Sequence, residues 1–119
     1  MSTDPWPTEL RLKESGRTLA VSFDDGASFD LPAELLRVRS PSAEVQGHAP
    51  SQRVTVGGKR AVAIRDLEQV GNYAVRIVFD DGHETGLYTW RFLRGMGRRR
   101  DAEFAAYEAE LAAKGLTRG

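Results

Sequence analysis

Two five-residue stretches, Ser22-Phe23-Asp24-Asp25-Gly26 and Val78-Phe79-Asp80-Asp81-Gly82, constrain this chain more than any other feature. Each closes a run in which apolar and polar residues alternate, the period of a strand with one face buried. Each then reverses the chain at Asp-Gly, where glycine accepts the positive φ of a tight turn. Before the first turn lie Leu10 and Leu12, then Leu19, Val21 and Phe23; after it come Phe29 and Leu31. Glu14-Ser15-Gly16 breaks the first two runs apart, so residues 10–31 read as a three-stranded meander. The two stretches share little beyond the turn itself, and the expectation is two separate hairpins with the same turn chemistry rather than a repeat.

Pro32 suits the first turn of a helix, where its missing N–H is no loss, and Ala33–Arg37 would be that helix. Residues 39–53 carry almost no apolar side chains and are expected to form a long loop, a kind of segment that is often functional. Val54 and Val56, then Val62 and Ile64, flank Gly57-Gly58 and predict another hairpin. Val70-Gly71-Asn72-Tyr73 is read as a link into the strongest strand, Ala74–Phe79, and His83–Tyr88 as its return. Thr89 can cap a helix opening at Trp90. Phe104, Tyr107 and Leu111 then give an amphipathic helix over 101–114 with Gly115 as its stop. The expected fold is α+β: a small, largely antiparallel sheet of about six to seven short strands, short helices, and a C-terminal amphipathic helix. Residues 1–7, with two of the five prolines, read as a flexible lead-in.

Composition narrows the chemistry. A length of 119 residues fits one domain. No cysteine is present, which removes disulfides, thiolate metal sites and thiol nucleophiles. Formal net charge is zero, so no global field draws the chain to nucleic acid or anionic lipid. No apolar run approaches a membrane span, and the N-terminus has no signal-peptide pattern. A bacterial, cytoplasmic protein is expected.

Catalytic motifs are absent. No Gly-x-Ser-x-Gly occurs, and Gly57-Gly58-Lys59 lacks the other residues of a phosphate loop. The acids of the two Asp-Asp-Gly turns are expected to be turn formers. Two alternatives remain open. His48 and His83 could share a metal with Asp81 or Glu84, a legitimate ligand set without diagnostic spacing. Arg91, Arg94, Arg98, Arg99 and Arg100, interleaved with Tyr88, Trp90 and Phe92, could meet phosphates and bases, though the acids from Asp101 onward argue against nucleic acid.

Three longer segments carry a family resemblance: Leu35-Leu36-Arg37-Val38-Arg39-Ser40-Pro41-Ser42-Ala43-Glu44-Val45, Val70-Gly71-Asn72-Tyr73-Ala74-Val75, and Phe79-Asp80-Asp81-Gly82-His83-Glu84-Thr85-Gly86-Leu87-Tyr88-Thr89-Trp90. Together they resemble the gamma-butyrobetaine hydroxylase-like N-terminal domain over about residues 7–97. The resemblance implies a domain over 1–97 with a helical extension over 98–119. In the family's hydroxylases the equivalent domain holds zinc through three cysteines and a histidine and precedes an iron-dependent catalytic domain. Those ligand positions fall here on Ser40, Ser42, Val45 and His83, of which only His83 is a ligand type. The resemblance therefore implies the fold without the metal, without a cofactor and without catalysis, and is closest to cysteine-less, free-standing bacterial forms. Related domains accompany iron–sulfur assembly proteins, which implies an accessory role in metallocofactor or redox metabolism. Ser40 and Ser42 are expected to bond the local backbone in place of the metal, with His83 bonding into the same loop. The function expected is a binding or scaffold module, acting on a protein partner or on itself. Its candidate surface is Arg37, Ser40, Ser42, His48, Asn72, Tyr73, Asp81, His83, Tyr88 and Trp90.

Overall fold

The computed structural model describes residues 5–47 and 50–119. Six antiparallel strands form two three-stranded sheets. One contains β1 (Pro7–Lys13), β2 (Thr18–Phe23) and β3 (Ser28–Pro32), in that order across the sheet. The other contains β4 (Ile64–Val70), β5 (Ala74–Phe79) and β6 (Leu87–Thr89), again in chain order. Helix α1 (Ala33–Val38) leaves β3, and helix α3 (Trp90–Arg98) leaves β6. A four-residue helix α2 (Ala43–Gln46) follows α1, and α4 (Arg100–Ala113) follows α3.

The middle strand of each sheet supplies the core. Leu19, Val21 and Phe23 of β2 and Val75, Ile77 and Phe79 of β5 are buried, alternating along the strands as the pleat requires. They join Leu35, Leu36 and Val38 of α1, Leu93 and Met96 of α3, and Tyr107 and Leu111 of α4 in one apolar cluster. Helix α4 is also tied down by charge. The buried Arg39 donates to Glu110 through both terminal nitrogens, at 3.1 and 2.6 Å, and to Glu103 at 3.2 Å. No helix among the described residues is long and apolar enough to cross a membrane.

Several sequence expectations need correction. The hairpin at 54–64 does not form. Gly58 and Arg60 instead donate backbone bonds to Thr117 and Arg118 of the C-terminal tail, at 2.9 and 2.8 Å. The link before β5 is a turn over Gly71, Asn72 and Tyr73, as expected, but Val70 ends β4, a strand whose polar residues hid it. The return from the second Asp-Asp-Gly turn is strand only over Leu87–Thr89, and Pro32 caps α1 rather than opening it. The 39–53 segment is not all loop, since it holds α2 and a short 3-10 turn at Pro50–Gln52. Thr89 caps α3 as its sequence suggests, accepting from the Phe92 N–H at 3.0 Å.

The largest correction concerns the two Asp-Asp-Gly turns, which are not merely similar in chemistry. Phe23 N–H bonds Ala27 O at 2.8 Å, and Phe79 N–H bonds His83 O at 2.9 Å. Asp24 N–H bonds Trp6 O at 2.8 Å while its carboxylate accepts from Trp6 N–H at 3.2 Å. Asp80 does the same with Ala63, at 2.9 and 3.1 Å. Strand registers agree as well. Pro7 faces Phe23 beside an irregularity in β1, as Ile64 faces Phe79 beside one in β4. Leu19 faces Leu31, as Val75 faces Tyr88. Each half is thus a β-β-β-α unit.

The halves exchange contacts. Arg37, one turn into α1, bonds Asp81 of the second turn at 2.8 Å; Arg94, one turn into α3, bonds Asp25 of the first. Reciprocal contacts of this kind are the mark of an approximate two-fold relation.

Candidate functional site

The ten residues expected to share a surface fall into two places, with His48 outside the described residues. The first place is a closed polar corner where the end of α1, α2 and the second Asp-Asp-Gly turn meet. Ser40 Oγ lies 2.9 Å from His83 Nε2, and His83 Nδ1 lies 3.1 Å from a Glu44 carboxylate oxygen. With the Nδ1 proton directed at Glu44, Nε2 accepts from the Ser40 hydroxyl. Ser40 Oγ also accepts from Ser42 N–H at 3.2 Å, and Ser42 Oγ accepts from Glu44 N–H at 3.2 Å while pairing with Thr85 Oγ1 at 2.7 Å. The Tyr88 hydroxyl, buried beside this corner, donates to Leu36 O at 2.5 Å.

Charge closes the corner from the other side. Asp81 meets Arg37 at 2.8 Å and Lys59 at 2.7 Å, and accepts from His83 N–H at 3.0 Å. Burial pushes the Asp81 carboxyl up, but the bonds from Lys59, His83 N–H and Arg37 outweigh it and hold it at about 2. Burial and then the Arg37 charge lower the pKa of His83, against the pull of Glu44 and Asp81. The tyrosine hydroxyl of Tyr88 is pushed up by burial.

Both shifts make acid destabilising. The folded pKa of His83 lies below its ordinary 6.5, so its contribution is complete above that value and is lost as pH falls through the folded one. The folded pKa of Asp81 lies below its ordinary 3.8, so its contribution is complete above 3.8 and is lost as pH falls toward about 2. Urea denaturation across pH is expected to show stability falling in both windows, with His83→Gln flattening the upper fall and Asp81→Asn shrinking the lower. An unchanged pair of falls in the two variants would contradict this assignment.

Ser40, His83 and Glu44 are spaced like a nucleophile, its base and an orienting acid. Ser40 is 0% exposed, however, and lies against Gly86 so closely that a Cβ there would come within 2.5 Å of its Oγ. No carbonyl carbon can approach that oxygen. The donor set does not fit zinc either. Val45 is packed in the interior, Ser42 Oγ is held by Thr85, and both nitrogens of the lone imidazole are engaged. Among the described residues no group of three or more histidine, aspartate or glutamate side chains could hold a metal ion.

The second place is an open groove of about 530 Å³ beside the turn between β4 and β5, lined by Pro5, Trp6, Asn72, Tyr73, Thr89, Trp90 and Arg91. Trp6 is 51% exposed and Tyr73 54%. Trp90 is fixed by its indole N–H, which donates to Asn72 O at 2.8 Å. A second hollow of about 360 Å³ continues past Trp6 and Trp90 along β1 and β4. The sequence singled out Asn72, Tyr73 and Trp90 but missed Trp6, whose prolines on either side read as a lead-in; an isolated tryptophan there was the available signal. Glu44, Thr85 and Lys59 of the corner were missed too, because only the fold brings them to His83 and Asp81. The arginines near α3 are largely committed: Arg94 to Asp25, Arg99 to Glu103 at 3.7 Å, and Arg100 to Asp101 and Asp30 O.

Two antiparallel three-stranded sheets, exchanging helices around one core, define a small α+β domain. The chain belongs to the gamma-butyrobetaine hydroxylase-like N-terminal family, whose model matches residues 10–94. It is similar to two proteins with NMR solution structures, at 44% and 47% identity and TM-scores of 0.83 and 0.84. Each alignment covers 98% of this chain, and 91% and 87% of the respective relative. It is also similar to a protein of unknown function of the DUF971 family from Acidithiobacillus ferrooxidans, known from a crystal structure, at 35% identity and a TM-score of 0.66 over 80% of this chain and 98% of that one. No curated protein matches significantly.

Proposed function

We propose that this chain is a non-catalytic binding module of the cytoplasm that engages a protein partner through the groove walled by Trp6, Tyr73 and Trp90. The observation that carries this reading is the contrast between the two places. The polar corner is closed, with its hydroxyls and imidazole spent on one another. The groove leaves two large aromatic side chains half in water, the type of residue that dominates binding energy at protein interfaces. We take this role to be an accessory one in metallocofactor or redox metabolism, a reading that draws on the family resemblance alone.

The test is quantitative capture of host-cell proteins on the immobilised chain. Tyr73→Ala and Trp6→Ala are expected to lower capture by about tenfold. Because both side chains are half exposed, each change should cost the fold less than about 1 kcal/mol. Variants that bind the same proteins as the parent chain, in the same amounts, would refute the reading.

A further inference from the structure

Gly57-Gly58 forms no hairpin turn; it is the saddle on which the tail after α4 lies. Gly58 and Arg60 donate to the carbonyls of Thr117 and Arg118 at 2.9 and 2.8 Å. A Cβ on Gly57 would come within 2.9 Å of Thr117 O, so bare backbone is what lets the tail approach. Among the side chains of this tail only Arg118 is partly buried, while Leu116 and Thr117 are exposed. The tail is therefore held by polar contacts and buries no apolar group, the mark of a segment that opens at small free energy.

The place that receives Arg118 is a built guanidinium site. Arg118 Nε and Nη2 donate to the two Glu34 oxygens at 2.9 and 2.8 Å, a two-point fork that suits a guanidinium and not an ammonium. The guanidinium carbon stands 4.9 Å from the centre of the Phe104 ring, so an aromatic face meets the cation. Tyr107, itself buried, donates its hydroxyl to Glu34 Oε2 at 3.2 Å and fixes the carboxylate. The Phe104 and Tyr107 rings meet edge to face, with centroids 5.7 Å apart. The Glu34 side chain is only 6% exposed. A buried carboxylate stripped of its cation is costly, so the site calls for another cation whenever the tail lifts.

We propose that the pocket of Glu34, Phe104 and Tyr107 recognises an arginine on an extended segment of a partner protein, and that Arg118 occupies it in cis as an intramolecular competitor. The segment lies along residues 57–60 as the tail does, its backbone carbonyls accepting from Gly58 and Arg60. The tethered tail has the higher effective concentration, so a partner's segment displaces it through contacts on either side of its arginine. An open hollow of about 340 Å³ beside Phe104, lined also by Pro32, Arg100, Asp101, Ala105 and Glu108, has room for such contacts. The pocket shares no residue with the groove of Trp6, Tyr73 and Trp90, and neither site depends on the other.

The probe is the acetylated, amidated peptide of residues 116–119, added to the full-length ¹⁵N-labelled chain carrying Arg118→Ala. It is expected to shift the amides of Glu34, Gly58, Arg60 and Tyr107, with a dissociation constant of about 1 mM. The R118K peptide should bind about tenfold more weakly, and so should the natural peptide to the parent chain, whose own tail is in place. Adding Glu34→Gln to the Arg118→Ala chain should abolish the binding. No shift at about 10 mM, equal binding of the two peptides, equal binding to the parent chain, or binding that survives Glu34→Gln would overturn the proposal. Should Arg118→Ala leave the chain unfolded, the natural peptide must restore the folded spectrum more effectively than the R118K peptide, and failure of that rescue counts the same. In the parent chain, the Gly58 and Arg60 amide protons are expected to exchange with solvent at least about tenfold faster than those of β5. Equal rates would mean that the tail lifts only when the whole fold opens, and that too contradicts a displaceable arginine.

Discussion

Truncating His83 to alanine is expected to destabilise the fold by about 3 kcal/mol. The side chain is only 3% exposed and packs against the Phe79 ring, with ring centroids 6.0 Å apart. Its removal leaves a cavity beside β5, and strands the Ser40 hydroxyl in the interior. Ser40→Ala removes one bond and little volume, and should cost about 1–2 kcal/mol through the unpaired Nε2 it leaves. Because the two share one bond, the double variant should be more stable than the summed single losses imply, by about 1 kcal/mol. Urea denaturation of the four proteins measures all of this. A His83→Ala chain within about 0.5 kcal/mol of the parent would show that the corner does not hold the fold together.

Gly16→Ala is expected to cost about 3 kcal/mol or more, and Gly26→Ala only about 1. Both glycines have the positive φ that an L-residue resists, +85° at Gly16 and +90° at Gly26. They differ in what a methyl group would meet. At Gly26 nothing lies within 4 Å, whereas at Gly16 the new Cβ would sit 2.3 Å from Ile64 O and 3.2 Å from Ile64 N. Those are backbone atoms where the turn of one half presses on the first residue of β4, so they cannot swing aside like a side chain. The difference between the two variants isolates this close approach from the shared dihedral cost. Equal losses in urea denaturation would mean that the halves do not meet as tightly as described.

What was legible in the sequence was what local chemistry controls. The Asp-Asp-Gly turns, the alternation of β2 and β5, the Thr89 cap and the stripe of α4 each follow from residues close together in the chain. Strand β4 was not legible. Its Ile64 is buried, but the irregularity between Ile64 and Asp66 breaks the alternation, and Arg65, Asp66 and Gln69 face solvent at a sheet edge. The internal correspondence was hidden for a different reason. Equivalent positions carry unlike side chains that are balanced across the interface. Phe29 fills the space over Gly97, where a Cβ would lie 2.4 Å from the ring, while at the matching place Ser40 lies over Gly86. A comparison residue by residue sees mismatches where the packing keeps a sum. The corner was half legible. The family resemblance pointed to Ser40, Ser42 and His83, but their partners Glu44, Thr85 and Asp81 acquire their roles only when the two halves meet.

The groove was legible only as scattered aromatics. Asn72 and Tyr73 lie in the turn before β5 and Trp90 opens α3, but the wall that completes the groove, Trp6, comes from the other end of the chain. Backbone bonds with Asp24 hold it there, so the first Asp-Asp-Gly turn positions a side chain of the second half's surface.

A single comparison tests this division of labour: the amount of each host protein captured by the Ser40→Ala chain and by the Tyr73→Ala chain, at a temperature where both are folded. Unaltered capture by the serine variant alongside its loss in the tyrosine variant is what a structural corner and a working groove require. The opposite result, with binding abolished by the hidden hydroxyl and untouched by the exposed ring, would put the function in the corner after all.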